Sequence, residues 1–233
     1  MLDALRYESI RLRSLRSTWI LLATGLVVQF LLGLEWATHS DMTVNHRFTN
    51  SFLGLFLVLV VLPGVAVAVN AFGHEYRYRT ITTTKLTLRA PGRILGAKAI
   101  VVGVFGAVSG AALVGVTLLA EALVGGMPTD SALVGHALLG SVVFAVLSCL
   151  IGLSVAELSR NGTVALVAMI VFPAIIETGL SYAKFPQSLL PFQGGEQFLV
   201  SGDPGRWAQP LPLLVLAAVL LAASWASLRR RDA

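Results

Sequence analysis

Residues 131–156, SALVGHALLGSVVFAVLSCLIGLSVA, run for 26 positions without one Asp, Glu, Lys or Arg. As an α-helix this stretch extends about 39 Å, more than the ~30 Å hydrocarbon core of a bilayer. Its apolar residues follow neither helical nor strand spacing, so the pattern marks no face for water. Such a run reads as a membrane-spanning helix.

The same pattern recurs on both sides. Similar runs occupy 18–34, 51–72, 99–120 (continuing to 124), 163–183 and 210–227, the fifth of the six interrupted by Pro173 and Glu177. The whole chain of 233 residues is 56% hydrophobic and 12% charged, with a mean hydropathy of +0.80. Soluble domains carry about a quarter of charged residues, so the composition excludes them. The expected fold is an all-α integral membrane protein, a single domain over 1–233 with six transmembrane helices. The lone Cys149 lies inside an apolar run and permits no intramolecular disulfide. Arg outnumbers Lys fourteen to three, and Ala, Gly and Val abound, which suggests a GC-rich bacterial genome.

The cations set the orientation. With both termini on one side, fourteen Lys and Arg fall there and three (Arg47, Lys184, Arg206) fall opposite. The positive-inside rule therefore places both termini in the cytoplasm of a cell membrane, and the net charge of +5 reflects topology rather than nucleic-acid binding. No A-x-A-like cleavage site follows the first run, which is expected to be retained. Residues 1–16, MLDALRYESIRLRSLR, are expected to form a cytoplasmic interfacial helix. Leu2, Leu5, Leu12 and Leu15 lie broadly on one side, the Arg residues face lipid phosphates, and Glu8 blemishes the apolar side.

Motifs for chemistry are missing. GRILGAKA at 92–99 lacks P-loop spacing, HEYRY at 74–78 lacks the second His of a zinc motif, and His39 with His46 want a third ligand. No G-x-S-x-G or paired carboxylates occur. No catalysis and no directly bound cofactor are expected. Asn161 is expected to cap the fifth membrane helix. Among intramembrane polar residues, Glu121 and Glu35 fall near outer helix ends, where solvation is cheap. His136 and Glu177 stand deeper, Glu177 as a candidate for the substrate path or an outer-loop contact.

Residues 74–93, HEYRYRTITTTKLTLRAPGR, interrupt this hydrophobicity with a long basic segment. A simple connection needs only four to six residues, so a cytoplasmic projection that docks on lipid or on a soluble partner is expected. Here the chain resembles the permease subunits of type-2 ATP-binding-cassette (ABC) exporters. The likeness rests on Glu75, Thr80, Pro91, Arg93 and Lys98, with a surface helix before the first span. Arg79 departs from the pattern, in which Gly commonly precedes the Thr.

The resemblance implies that 73–93 is a coupling segment seated on a separate ATPase subunit, with Glu75, Arg77, Arg79, Thr80, Lys85, Arg89 and Arg93 as docking residues. It implies two ATPase copies that carry the ATP and Mg, a second permease that is identical or related, and re-entrant helices within the outer loop 184–209. Function then follows as export of a hydrophobic or amphiphilic substrate. Gly103, Gly106 and Gly110 offer a small-residue packing face, and Pro63-Gly64 a hinge. The competing reading is an ATP-independent secondary transporter or channel that uses Glu177 and His136.

Overall fold

The computed structural model describes residues 2–53, 55–78, 91–124, 126–200 and 208–230. Helix α1 (Leu2–Ser14) leads through Leu15 into α2 (Arg16–Ala37), and a short helix α3 (Val44–Asn50) follows. Then come α4 (Leu55–Arg77), α5 (Pro91–Val124) and α6 (Ser131–Ser159). Helix α7 (Gly162–Val171) passes through a π-helical turn, Phe172–Glu177, into α8 (Thr178–Tyr182). Helices α9 (Pro191–Val200) and α10 (Leu211–Arg230) complete the described chain.

Five helices among the described residues are long and apolar enough to cross a membrane: α2, α5, α6, the α7–α8 unit and α10. The second expected span falls on α4, 23 residues long, which continues through Pro63 without a break. Helix α5 begins at Pro91, a residue suited to a first helical turn, so Lys98 lies inside the helix ahead of the apolar run.

Caps explain the boundaries. Asp130 accepts hydrogen bonds from the Ala132 and Leu133 amides at the start of α6. Asn161 does the same for Thr163 and Val164 at the start of α7. Between these two helices Arg160 turns the chain in the left-handed region, at φ 53°.

Helix α6 is the centre of the bundle. Of its most apolar window 61% is buried, against 22–33% for the other four candidate spans. Close approach requires small residues: a Cβ on Gly110 of α5 would lie 2.7 Å from the Ser141 carbonyl oxygen, and one on Gly106 would lie 3.1 Å from that of Ala145. The Ser141 hydroxyl donates to the Gly110 carbonyl across the same seam. A Cβ on Gly103, at the edge of this seam, would lie 4.0 Å from Val146. One on Gly64 would make ordinary contact with Cys149 and Ser109. Opposite the core, α2, α5, α7 and α10 present exposed Val27, Val104, Val167 and Val219, the surface expected against lipid tails.

Helix α9 folds back along α6. Its Phe198 ring lies tilted against His136, 4.9 Å between centroids, and its Phe192 meets Phe144 edge-on. From His136 to Phe144 is about 12 Å along a helix, so the N-terminus of α9 reaches the middle of the bundle.

Candidate functional site: the C-terminal end of helix α4

Successive helical residues point about 100° apart, and the last turn of α4 sends its side chains to three different neighbours. Glu75 turns inward. It accepts from the Lys98 ammonium of α5 at 2.6 Å and from the Arg11 guanidinium of α1 at 2.6 Å. Lys98 also donates to Glu8 of α1 at 2.7 Å and to the Ala71 carbonyl at 2.9 Å. Arg11 reaches the same carbonyl at 2.6 Å. The Phe72 ring lies 5.0 Å below the ammonium. Lys98 is 1% exposed and Glu8 and Glu75 are 4%. Two anions and two cations make the group neutral, which is what permits its burial.

Glu75 lies two residues before the end of α4, and Lys98 is seven residues beyond the start of α5. Their ion pair therefore closes the base of the segment between these helices, and Glu8 with Arg11 fastens α1 to both sides of it. The apparent flaw in the amphipathic pattern of α1 is thus its docking residue. Ala4 and Glu8 are the buried face, while Leu2 is 82% exposed.

Tyr76 turns the other way, its hydroxyl donating to Glu157 of α6 at 3.4 Å. Ser227 of α10 donates to the same carboxylate oxygen at 3.3 Å. His74 and Arg77 face a cavity of about 550 Å³ shared with Arg160 and Thr163 at the α6–α7 turn. Partial burial, then the positive charges of Arg11 and Arg77, holds the His74 imidazole below its ordinary pKa.

Among the expected docking residues, Glu75 is buried, with its carboxylate held in the ion network. Arg77 and Arg93 are exposed. Arg79, Thr80, Lys85 and Arg89 lie outside the described residues.

Glu177 is also spent on the fold. Wholly buried, it accepts from the Phe192 amide at 3.0 Å and the Gln193 amide at 2.9 Å, capping the N-terminus of α9. Pro173 lacks an N–H, and the π-helical turn that contains it carries Glu177 toward that cap. The cavity of about 660 Å³ beside it is lined by Pro173, Thr178, Phe192, Gln193 and Glu196, without Glu177. His136 holds the other end of α9 through a 2.6 Å bond to the Phe198 carbonyl. Both polar residues thus anchor one helix, α9.

Glu121, expected to be solvated, is instead wholly buried. Gln29 is a polar residue the sequence reading missed. It donates to the Thr117 hydroxyl at 2.8 Å and joins α2 to α5.

A helical, multi-pass membrane protein in which the end of α4 is braced to α1 and α5 by a buried ion network defines the class. The chain belongs to the ABC-2 family transporter proteins, whose family model matches residues 4–182. Membership gives it a permease role in ABC transport and implies association with an ABC ATPase. No curated protein matches the chain.

Proposed function

We propose that this chain is the membrane-spanning subunit of an ABC exporter with six spans and both termini cytoplasmic. Its segment 73–93 docks on a separate ATPase that binds the ATP and Mg, so the permease performs no catalysis of its own. Two ATPase copies serve two permeases, and the cargo is hydrophobic or amphiphilic. The observation that carries this reading is the buried Glu8–Arg11–Glu75–Lys98 network. A loop that merely rested on lipid needs no braced base, whereas a segment that is pushed does. Through Glu75 the push reaches α1 and α5, and through Tyr76 and Glu157 it reaches α6 and α10.

Co-purification tests it. Tagged protein isolated under gentle conditions from its host is expected to bring down an ABC ATPase. Arg93→Glu, which reverses an exposed charge at the foot of α5, is expected to deplete that ATPase without loss of the folded permease. Wild-type protein that carries no ATPase, even after cross-linking, contradicts the reading.

A further inference from the structure

The cavity between α4 and the α6–α7 turn is lined by cations with no lining carboxylate to balance them. Asn70, His74, Arg77, Arg160, Thr163 and Leu166 are among its lining residues, and none of the residues lining it is Asp or Glu. Arg77 and Arg160 are exposed, and among the described residues no carboxylate lies within salt-bridge distance of either. Arg77 instead rests beside the Tyr78 ring, 5.8 Å from its centroid. The Asn161 side chain already occupies the first amides of α7, so side chains must supply the recognition. Beside this cationic mouth, Val164, Val167 and Ile170 form an exposed apolar stripe along α7, Val164 at 51% and Val167 at 52%. Their i, i+3, i+6 spacing keeps them on one side of the helix.

We propose that this cavity binds the phosphate headgroup of an amphiphile from the inner leaflet, with Arg77 and Arg160 on the phosphate and its apolar chain along Val164, Val167 and Ile170. Guanidinium forks match phosphate oxygens. The stripe belongs to the surface of α7 expected against lipid tails, so a ligand that reaches both it and the two cations is an amphiphile of the bilayer, whereas an acidic protein side chain would meet the cations alone. The inner-leaflet position rests on the orientation given for the permease, while binding itself requires no ATPase.

The test is a binding titration on the full-length protein in nanodiscs of phosphatidylcholine. Short-chain dioctanoyl phosphatidate, dioctanoyl phosphatidylcholine and inorganic phosphate serve as probes. Wild type is expected to prefer phosphatidate to both others. Arg77→Gln with Arg160→Gln is expected to weaken phosphatidate binding about thirtyfold, near the contribution of two cations at a membrane surface. Arg6→Gln with Arg13→Gln removes the same charge from exposed positions of α1 and is expected to leave binding nearly unchanged.

Equal losses in the two double variants overturn the proposal, as does inorganic phosphate binding as tightly as phosphatidate. It is also overturned if the Arg77/Arg160 variant keeps its lipid but sheds the ATPase, because the cavity is then a protein-docking site. With the ATPase reconstituted, labelled phosphatidate that crosses to the outer leaflet on ATP addition identifies cargo. A change in hydrolysis rate without movement identifies a resident lipid, and either result supports the site. Should the ATPase association fail while phosphatidate still binds through Arg77 and Arg160, the permease reading falls and the site stands.

Discussion

At the scale of single residues, the ion network converts composition into mechanics. Removing one member of a buried, neutral group leaves an uncompensated charge, which costs about 3–5 kcal/mol. Lys98→Met is therefore expected to lower the permease's stability in detergent by about that amount. Glu8→Gln with Lys98→Met restores neutrality, keeps the Arg11–Glu75 bond, and is expected to lose much less. Denaturation titrations in which single and double variants fall equally would remove the electrostatic account.

Glu177 makes a second case. Glu177→Gln exchanges a charged acceptor of two amides for a neutral one, and hydrogen bonds to charged groups are worth about 1.5–3 kcal/mol. The expected outcome is faster hydrogen exchange at the Phe192 and Gln193 amides, with α5 and α6 unaffected. Unchanged exchange there would free Glu177 for the transport role that its position first suggested.

At the scale of elements, packing is fixed by where backbones touch. A Cβ at Gly110 meets the Ser141 oxygen at 2.7 Å, whereas one at Gly115, a turn and a half further along the same helix, meets nothing within 4 Å. Gly110→Ala should destabilise the α5–α6 pair by about 1–3 kcal/mol through overpacking. Gly115→Ala is expected to be neutral or to gain up to about 1 kcal/mol from helix propensity. Thermal unfolding of the two variants side by side checks this, and a shared sign contradicts it.

The elements also show how much the sequence made legible. Runs of apolar residues marked α2, α5, α6, α7 and α10 because a bilayer demands length and hydrophobicity, and both are local properties. Asn161 as a cap was readable for the same reason. Glu75 was not, because its partners stand 23 and 64 residues away and meet it only when α1 docks. The available signal was Glu8, a carboxylate on the side of α1 that its leucines appoint as apolar. His136 and Glu177 were visible as anomalies of polarity. Their common purpose, holding α9, depends on a fold-back that no single stretch encodes.

At the scale of the molecule, the last turn of α4 is joined to several neighbours at once. Glu75 is joined to α1 and α5, Tyr76 to α6 and α10 through Glu157, and Arg77 to the cationic cavity. Membership of the ABC-2 family implies association with an ABC ATPase, which on the proposed reading is the source of force. Force applied to a segment with a loose base would be dissipated in that segment. Braced by a buried ion pair, the segment would instead pass it to the helices.

The central claim is that the network couples ATP hydrolysis to motion of the bundle, and one measurement addresses it directly. Wild type and the Glu8→Gln/Lys98→Met double variant, each reconstituted with the ATPase in proteoliposomes, would be compared for cargo moved per ATP hydrolysed. The account predicts that the variant assembles and hydrolyses ATP, while its transport per ATP falls about tenfold or more. A folded, assembled variant with an unchanged ratio would show that the network only holds α1 in place, and would contradict the account.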